Sequence, residues 1–250
     1  MVFKIVIPSK DRLKVLATKT LEFLAKTNLL YECEIYIFVN IDNFKQYSKY
    51  FNSMVYENII IILGDDGLNA QRNCIRKYFD EGEQLLILDD DLDDIRSLQP
   101  IPNLYEYLDE CFKKIKDNKI LLGSINPTNN KYYCTNQELQ GLYFCVGCFY
   151  LEINNHNPYL LLDTEETSEK EDYIRTIKHY NLSGAVARFN GLCVKHRYNG
   201  SLGGMNHDNH NRILDNVKMI NILANKYKNI IIKKKTKSKI ELQFRANTKI

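Results

Sequence analysis

The chain has 250 residues, 44% of them hydrophobic, with a formal net charge of +3 and seven cysteines. That length can bury a full core without disulfide help, and a charge this small does not by itself announce a polyanionic partner. There is no run of about 18 uncharged apolar residues to cross a membrane and no charged-then-apolar leader, which predicts a soluble protein of the cytoplasm or host nucleus, not a secreted one.

Val2–Ile7 reads as a buried strand, which Pro8 ends because proline has no N–H to donate. Asp11 then opens a helix with Leu13, Leu16, Leu21 and Leu24 on one face. Glu34–Val39, Ile59–Leu63 and Leu85–Leu88 are the next strands, with helical stretches near 42–50 and 67–80. Strand and helix alternating in this way predict a parallel sheet covered on both faces, with ligands at the carboxyl ends of its strands. Three polar clusters sit at those ends: Ser9 to Arg12, Asn40 to Asp42, and Asp89 to Asp94.

The second half changes character. After a helix at 103–117, strands are expected at Ile120–Ser124, Lys131–Cys134 and Gly141–Leu151, the last two antiparallel across Thr135–Gln140. Helix at Glu165–Tyr180, a short strand at Gly191–Lys195 and a long helix within 206–228 follow; Ile213, Val217, Ile220, Ala224 and Tyr227 form the long helix's apolar face. Ile230–Ile232 and Ile240–Phe244 close the chain as a hairpin. No repeat or linker interrupts the pattern, so 1–250 reads as one mixed α/β domain.

Leu85–Leu88 runs straight into Asp89, Asp90 and Asp91, with Asp93 and Asp94 just beyond: five acidic side chains in six residues. Carboxylates crowded into one cleft repel one another and call for a cation, and hard ions such as Mg²⁺ and Mn²⁺ suit them while keeping positions open for phosphate. A solvated acidic turn capping a helix is the plain alternative. Gly67 opens the helix that leads into this strand and turns its N–H groups towards a phosphate, with Arg72 adding a permanent cation. Cys145 and Cys148 make a C-x-x-C, but in a strand they would face opposite sides and no second zinc pair follows; the odd, scattered cysteines read as reduced core residues.

Ile5-Val6-Ile7-Pro8-Ser9-x-x-Arg12, then Gly67-x-x-x-x-Arg72-Asn73, then Leu-Asp89-Asp90-Asp91 resembles the ordered motifs of GT-A fold glycosyltransferases, which use nucleotide-diphosphate sugars. The resemblance implies a Rossmann-type mixed sheet flanked by helices, ending here in a helix and β-hairpin, with 1–98 holding the sugar nucleotide and 99–250 the acceptor. It implies Mn²⁺ or Mg²⁺ on Asp89 and Asp91. The donor, a UDP-sugar in first place, would be held by Pro8, Ser9, Arg12, Asn40, Asp42, Arg72, Asp89 and Asp90. Members commonly carry an Asp-Asp pair after the second strand; Asn40-Ile41-Asp42 departs from it. Glu171-Asp172 resembles the Glu-Asp pair near the acceptor, with Asp172 as base, although acidic residues also favour a helix first turn. The resemblance adds a histidine to the metal shell, His196 or His207, and Asn199–Gly204 is a glycine-rich loop able to close on the pyrophosphate or merely to connect. Asp93 and Asp94 read as the cap of the following turn.

Together with Arg212 on the last helix, these features look like the TET/JBP-associated glycosyltransferases related to the base J enzyme. That branch implies a viral or phage setting and a 5-hydroxymethylpyrimidine base in DNA as acceptor. Such a base must be flipped or presented in single-stranded DNA, and the seventeen tyrosines and the lysine-rich hairpin at 233–239 are compatible with that. A protein or glycan acceptor, for example a viral capsid or surface polysaccharide, and a non-catalytic sugar-nucleotide module are the competing readings. No protein partner is implied.

Overall fold

The computed structural model describes residues 3–54, 56–164, 169–195, 209–235 and 240–245, with the backbone alone for 209–212. Strands β1 (Lys4–Pro8), β2 (Ile35–Val39), β3 (Ile59–Leu63) and β4 (Gln84–Leu88) pair in parallel in the order β3-β2-β1-β4. Every residue of β2 and β4 is buried, which is why these segments are unbroken apolar runs: helices cover both faces. The expected first helix is three short ones, α1 (Leu13–Thr18), α2 (Thr20–Lys26) and α3 (Leu29–Glu32), since Lys19 leaves helical geometry at φ −123°. Leu16, Leu21 and Leu24 face the core as expected. Helix α4 (Ile41–Asn52) is capped by Asn40, whose side chain accepts from the Asn43 N–H, and α5 (Leu68–Tyr78) opens at Gly67 with φ +87°.

The sheet then continues. Strand β5 (Asp94–Ser97), helix α6 (Leu104–Asp117), β6 (Leu122–Asn126), β7 (Glu138–Gly141), β8 (Phe149–Ile153), helix α7 (Glu171–Ser183) and β9 (Val186–Lys195) complete nine strands in the order β3-β2-β1-β4-β8-β6-β9-β5, with β7 also on β9. Strand β8 runs antiparallel between β4 and β6, so the chain entering β8 arrives at the edge where β4 and β6 end.

Several expected elements differ. Lys131–Tyr133 is a 3-10 turn, not a strand, because the Asn130 side chain caps it through the Tyr132 N–H at 3.1 Å. Gly141–Leu151 is not one strand: Gly141 at φ +140° ends β7, and Phe149 starts β8. The hairpin across 135–140 therefore does not form: its first arm is the 3-10 turn, and Glu138–Gly141, inside the expected connection, is itself a strand paired with β9. Asp94 does not cap a turn but begins β5, an exposed strand whose place comes from pairing with Leu192–Lys195.

Helix α8 (Asn209–Lys226) packs through Met219, Ile220 and Leu223, leaving Ile213 and Val217 exposed, because β10 (Ile231–Lys235) and β11 (Ile240–Phe244) cover only its second half. Those strands form the expected antiparallel hairpin. Among the described residues no helix is long and apolar enough to cross a membrane.

Candidate active site

The carboxyl ends of β1 and β4, the chain entering β8 and the first turn of α7 meet at one edge of the sheet. Ser9, just past β1, donates its hydroxyl to Asp90 Oδ2 at 2.6 Å and lies 2.8 Å from the Tyr47 hydroxyl of α4. Tyr47 in turn accepts from the Arg12 backbone N–H at 3.2 Å. Arg12 Nη1 sits 3.2 Å from both Asp90 Oδ1 and Asp91 Oδ2. Burial pushes the Asp90 carboxyl up to about 7, against the pull of Ser9 and Arg12. Asp90 therefore points inwards and fastens the acidic turn to β1, whereas Asp89 keeps 35% of its side chain in the open.

Thr20, fully buried on α2, pins the same turn: its hydroxyl donates to the Asp89 carbonyl at 2.8 Å and accepts from Leu92 N at 3.0 Å. Pro8 is half-buried at the end of β1. Asn40 also donates to Asp66 at 3.2 Å, and Lys10 pairs with Asp66 at 2.7 Å and holds that carboxyl below its ordinary value. Asp42 lies exposed in the first turn of α4. Asp11 adopts φ +56°, held by two hydrogen bonds with the Asn43 amide at 2.7 and 2.8 Å.

Behind Asp89 stands Arg72, buried rather than open to the cleft. Its Nη2 lies 3.5 Å from Asp89 Oδ1, 3.4 Å from the Gly147 carbonyl and 4.0 Å from Glu171 Oε1. Arg175 Nη1 holds both Glu171 oxygens at 2.9 and 3.1 Å. Glu171 is thus buried between two arginines, while Asp172 beside it stays partly exposed and accepts from Tyr173 N at 2.9 Å. Burial and then the Glu171 charge raise the Asp172 carboxyl to about 7. Gly147 and Cys148 bridge the two carboxylate groups. The Asp89 N–H donates to the Cys148 carbonyl at 3.1 Å, and a Cβ on Gly147 would stand 3.3 Å from Glu171 Oε1 and 3.7 Å from Asp172 Cβ. Cys145 and Cys148 are buried free thiols, and burial pushes Cys145 up to about 12.

Asp89 offers a part-exposed carboxylate and Asp91 a buried one 3.2 Å from Arg12 Nη1, and among the described residues no group of three or more His, Cys, Asp or Glu side chains could hold a metal ion. Two carboxylates at a strand end suit Mg²⁺ or Mn²⁺ that takes the rest of its shell from a diphosphate and water. His196, His207 and the 199–204 loop lie outside the described residues, as does the Arg212 side chain. Thr20, Tyr47, Gly147 and Arg175 were not singled out from sequence. Gly147 alone left a signal there, as a glycine inside an apolar run that marks close approach of another group.

No family model and no curated protein matches the sequence. Solved structures do. The chain is similar to S. aureus TarS 1–349 in complex with UDP-GlcNAc, with 16% identity and a TM-score of 0.55 over 80% of this chain and 60% of that one. It is also similar to GalNAc-T7 with UDP, GalNAc and Mn²⁺, with 12% identity and a TM-score of 0.55 over 92% of this chain and 49% of that one. The chain thus spans less than two thirds of either structure. At such identities the likeness establishes the fold: a mixed α/β sheet of the GT-A type.

Proposed function

We propose that the chain transfers a sugar from a nucleotide-diphosphate donor, a UDP-sugar in first place, to an acceptor hydroxyl. The observation that carries this reading is the approach of the Asp89 turn to Asp172 across Gly147 and Cys148 at one sheet edge. Residues 1–98 hold the donor and 99–250 the acceptor. A Mg²⁺ or Mn²⁺ ion held by Asp89 and Asp91 would supply positive charge to the departing diphosphate. Pro8, Ser9, Asn40 and Asp42 border the place for the nucleoside; Ser9 and Arg12 keep Asp90 turned inwards, Asp89 opens towards the donor, and Asp91, buried against Arg12, would exchange that contact for the ion. Asp172 takes the proton of the acceptor hydroxyl as its oxygen bonds to the anomeric carbon and the bond from that carbon to the diphosphate oxygen breaks; a carboxyl raised to about 7 suits a general base. Glu171 positions Asp172 by anchoring the first turn of α7 to Arg72 and Arg175.

The acceptor we infer is a 5-hydroxymethylpyrimidine base in DNA. The support is a basic strand tied to the base-bearing helix: Lys233–Lys235 lie exposed on β10, and their hairpin is fixed to α7 by Lys170–Glu241 at 2.8 Å and by Tyr173 Oη to the Leu242 carbonyl at 2.5 Å. Lysines so placed would hold phosphates while the base enters the cleft. A glycan acceptor is favoured by a different observation, the exposed Tyr132 and Tyr133 beyond β6, whose rings can stack on sugars.

The test offers the protein labelled sugar nucleotides and Mn²⁺ with hydroxymethylpyrimidine DNA or free glycans. Label on DNA, lost in Asp91→Ala, is the expected result. Label on glycan alone rejects the DNA acceptor and keeps the transferase. Donor binding without transfer or donor hydrolysis rejects the enzyme in favour of a binding module.

A further inference from the structure

Helix α7 starts at a residue in a conformation that its own side chain does not favour. Lys170, just before Glu171, adopts φ +63° and ψ 23°, and no side chain caps the helix there. Lysine has neither the freedom of glycine nor the short polar side chain that steadies asparagine or aspartate in this left-handed region, so contacts from elsewhere must hold it. They come from the C-terminal hairpin. The Lys170 ammonium pairs with Glu241 of β11 at 2.8 Å, with only 16% and 25% of the two side chains exposed, so that salt screens the pair little. Three residues on, the Tyr173 hydroxyl donates to the Leu242 carbonyl at 2.5 Å, and the Tyr173 ring packs on Phe144 and Phe244, with centroids 4.5 and 5.2 Å away.

Along the chain, Asp172 lies between these two attachments. The Lys170 carbonyl accepts from Tyr173 N at 3.1 Å and from Ile174 N at 3.3 Å, so its direction sets the first turn, on which Asp172 stands. We propose that Lys170 is a positioning residue for sugar transfer, on the reading that makes Asp172 the base: gripped by Glu241, it fixes the start of α7 and with it the place of the Asp172 carboxylate. The titratable groups acting on that carboxylate are Lys170, Glu171 and Arg175 around the start of α7, and the buried Cys145 and Cys148 thiols of the chain entering β8. Burial and then Glu171 push the Asp172 carboxyl up; Arg175 and Lys170 draw it back. Lys170 thus acts on Asp172 twice, through the backbone turn and through its charge.

The test measures kcat, donor KM and their pH dependence with Mn²⁺, a UDP-sugar and the hydroxymethylpyrimidine DNA or glycan that takes label from the wild type. Lys170→Gly, which keeps the left-handed backbone available, should lower kcat roughly 10–100-fold with donor KM unchanged, and should move the rise of the pH profile upwards. Lys170→Arg, still cationic and able to pair with Glu241, should restore most of the rate and the wild-type profile. Glu241→Gln should also lower kcat alone, and the double variant Lys170→Gly/Glu241→Gln should be no slower than the slower single one. Wild-type kcat in both single variants, or a loss confined to a urea melt, overturns the proposal. Should Lys170→Gly fail to fold, Glu241→Gln and Lys170→Arg decide it. Asp172→Asn inactive beside fully active Lys170 and Glu241 variants overturns the clamp alone; wild-type transfer by Asp172→Asn, or none by the wild type, removes the base itself and the clamp with it.

Discussion

Replacing Glu152 by Gln probes the buried charge cluster directly. Glu152 lies on β8, almost wholly buried, 2.5 Å from Arg76 Nη2 and 3.5 Å from His179 Nε2. Burial alone would raise its carboxyl; Arg76, His179 and Arg175 outweigh burial and hold it at about 2, against an ordinary 4.5. That difference corresponds to roughly 3 kcal/mol, similar to the 3–5 kcal/mol typical of breaking a buried pair from one side. Because the folded value lies below the unfolded one, this stability is present above about pH 4.5 and is lost as pH falls through about 2. Urea unfolding of wild type and Glu152→Gln at several pH values between 7 and 2.5 measures it. The variant should be less stable by roughly 3 kcal/mol at pH 7, with Tm lower by roughly 6–12 °C, and the gap should narrow steadily below pH 4.5. A gap that stays constant down to pH 2.5 would refute the electrostatic account, since a packing defect does not titrate.

With Asp172 as base, transfer should rise with pH up to about 7 and then level off, because only the ionised carboxylate accepts the proton. Asp172→Asn should lose roughly 10²–10⁴-fold, and a wild-type rate that is flat from pH 5.5 to 8 would remove Asp172 from that role. Gly147→Val presses on Glu171 Oε1, 3.3 Å from the new Cβ, and on the start of α7. It should cost roughly 1–3 kcal/mol in a urea melt and lower the transfer rate by at least tenfold with little change in donor affinity; unchanged kinetics and an unchanged melt would show that the close approach is incidental.

The first half of the fold was legible because its strands are covered on both faces, and Ile35–Val39 or Leu85–Leu88 can hardly be anything else. Strand β5 was invisible for the opposite reason. Asp-Ile-Arg-Ser has no apolar pattern of its own, and it is a strand only because β9, almost a hundred residues later, offers an edge. The acidic run announced itself, yet the depth of each member did not: that Asp90 and Asp91 are both buried depends on Ser9, Tyr47 and Arg12, contacts set by tertiary packing. Arg72 looked like a free cation because its partners, Gly147 and Glu171, are remote in sequence.

Strand β8, reversed between β4 and β6, also imposes an order of assembly. Strand β1 pairs with β2 on one side but stays open on the other until β4 has been made, β4 stays an open edge until Phe149–Ile153 pairs with it, and β5 waits for Val186–Lys195. During synthesis the Asp89–Asp91 turn therefore leaves the ribosome well before the strand that flanks it. Pairings this distant in sequence are slow and leave strand edges exposed meanwhile.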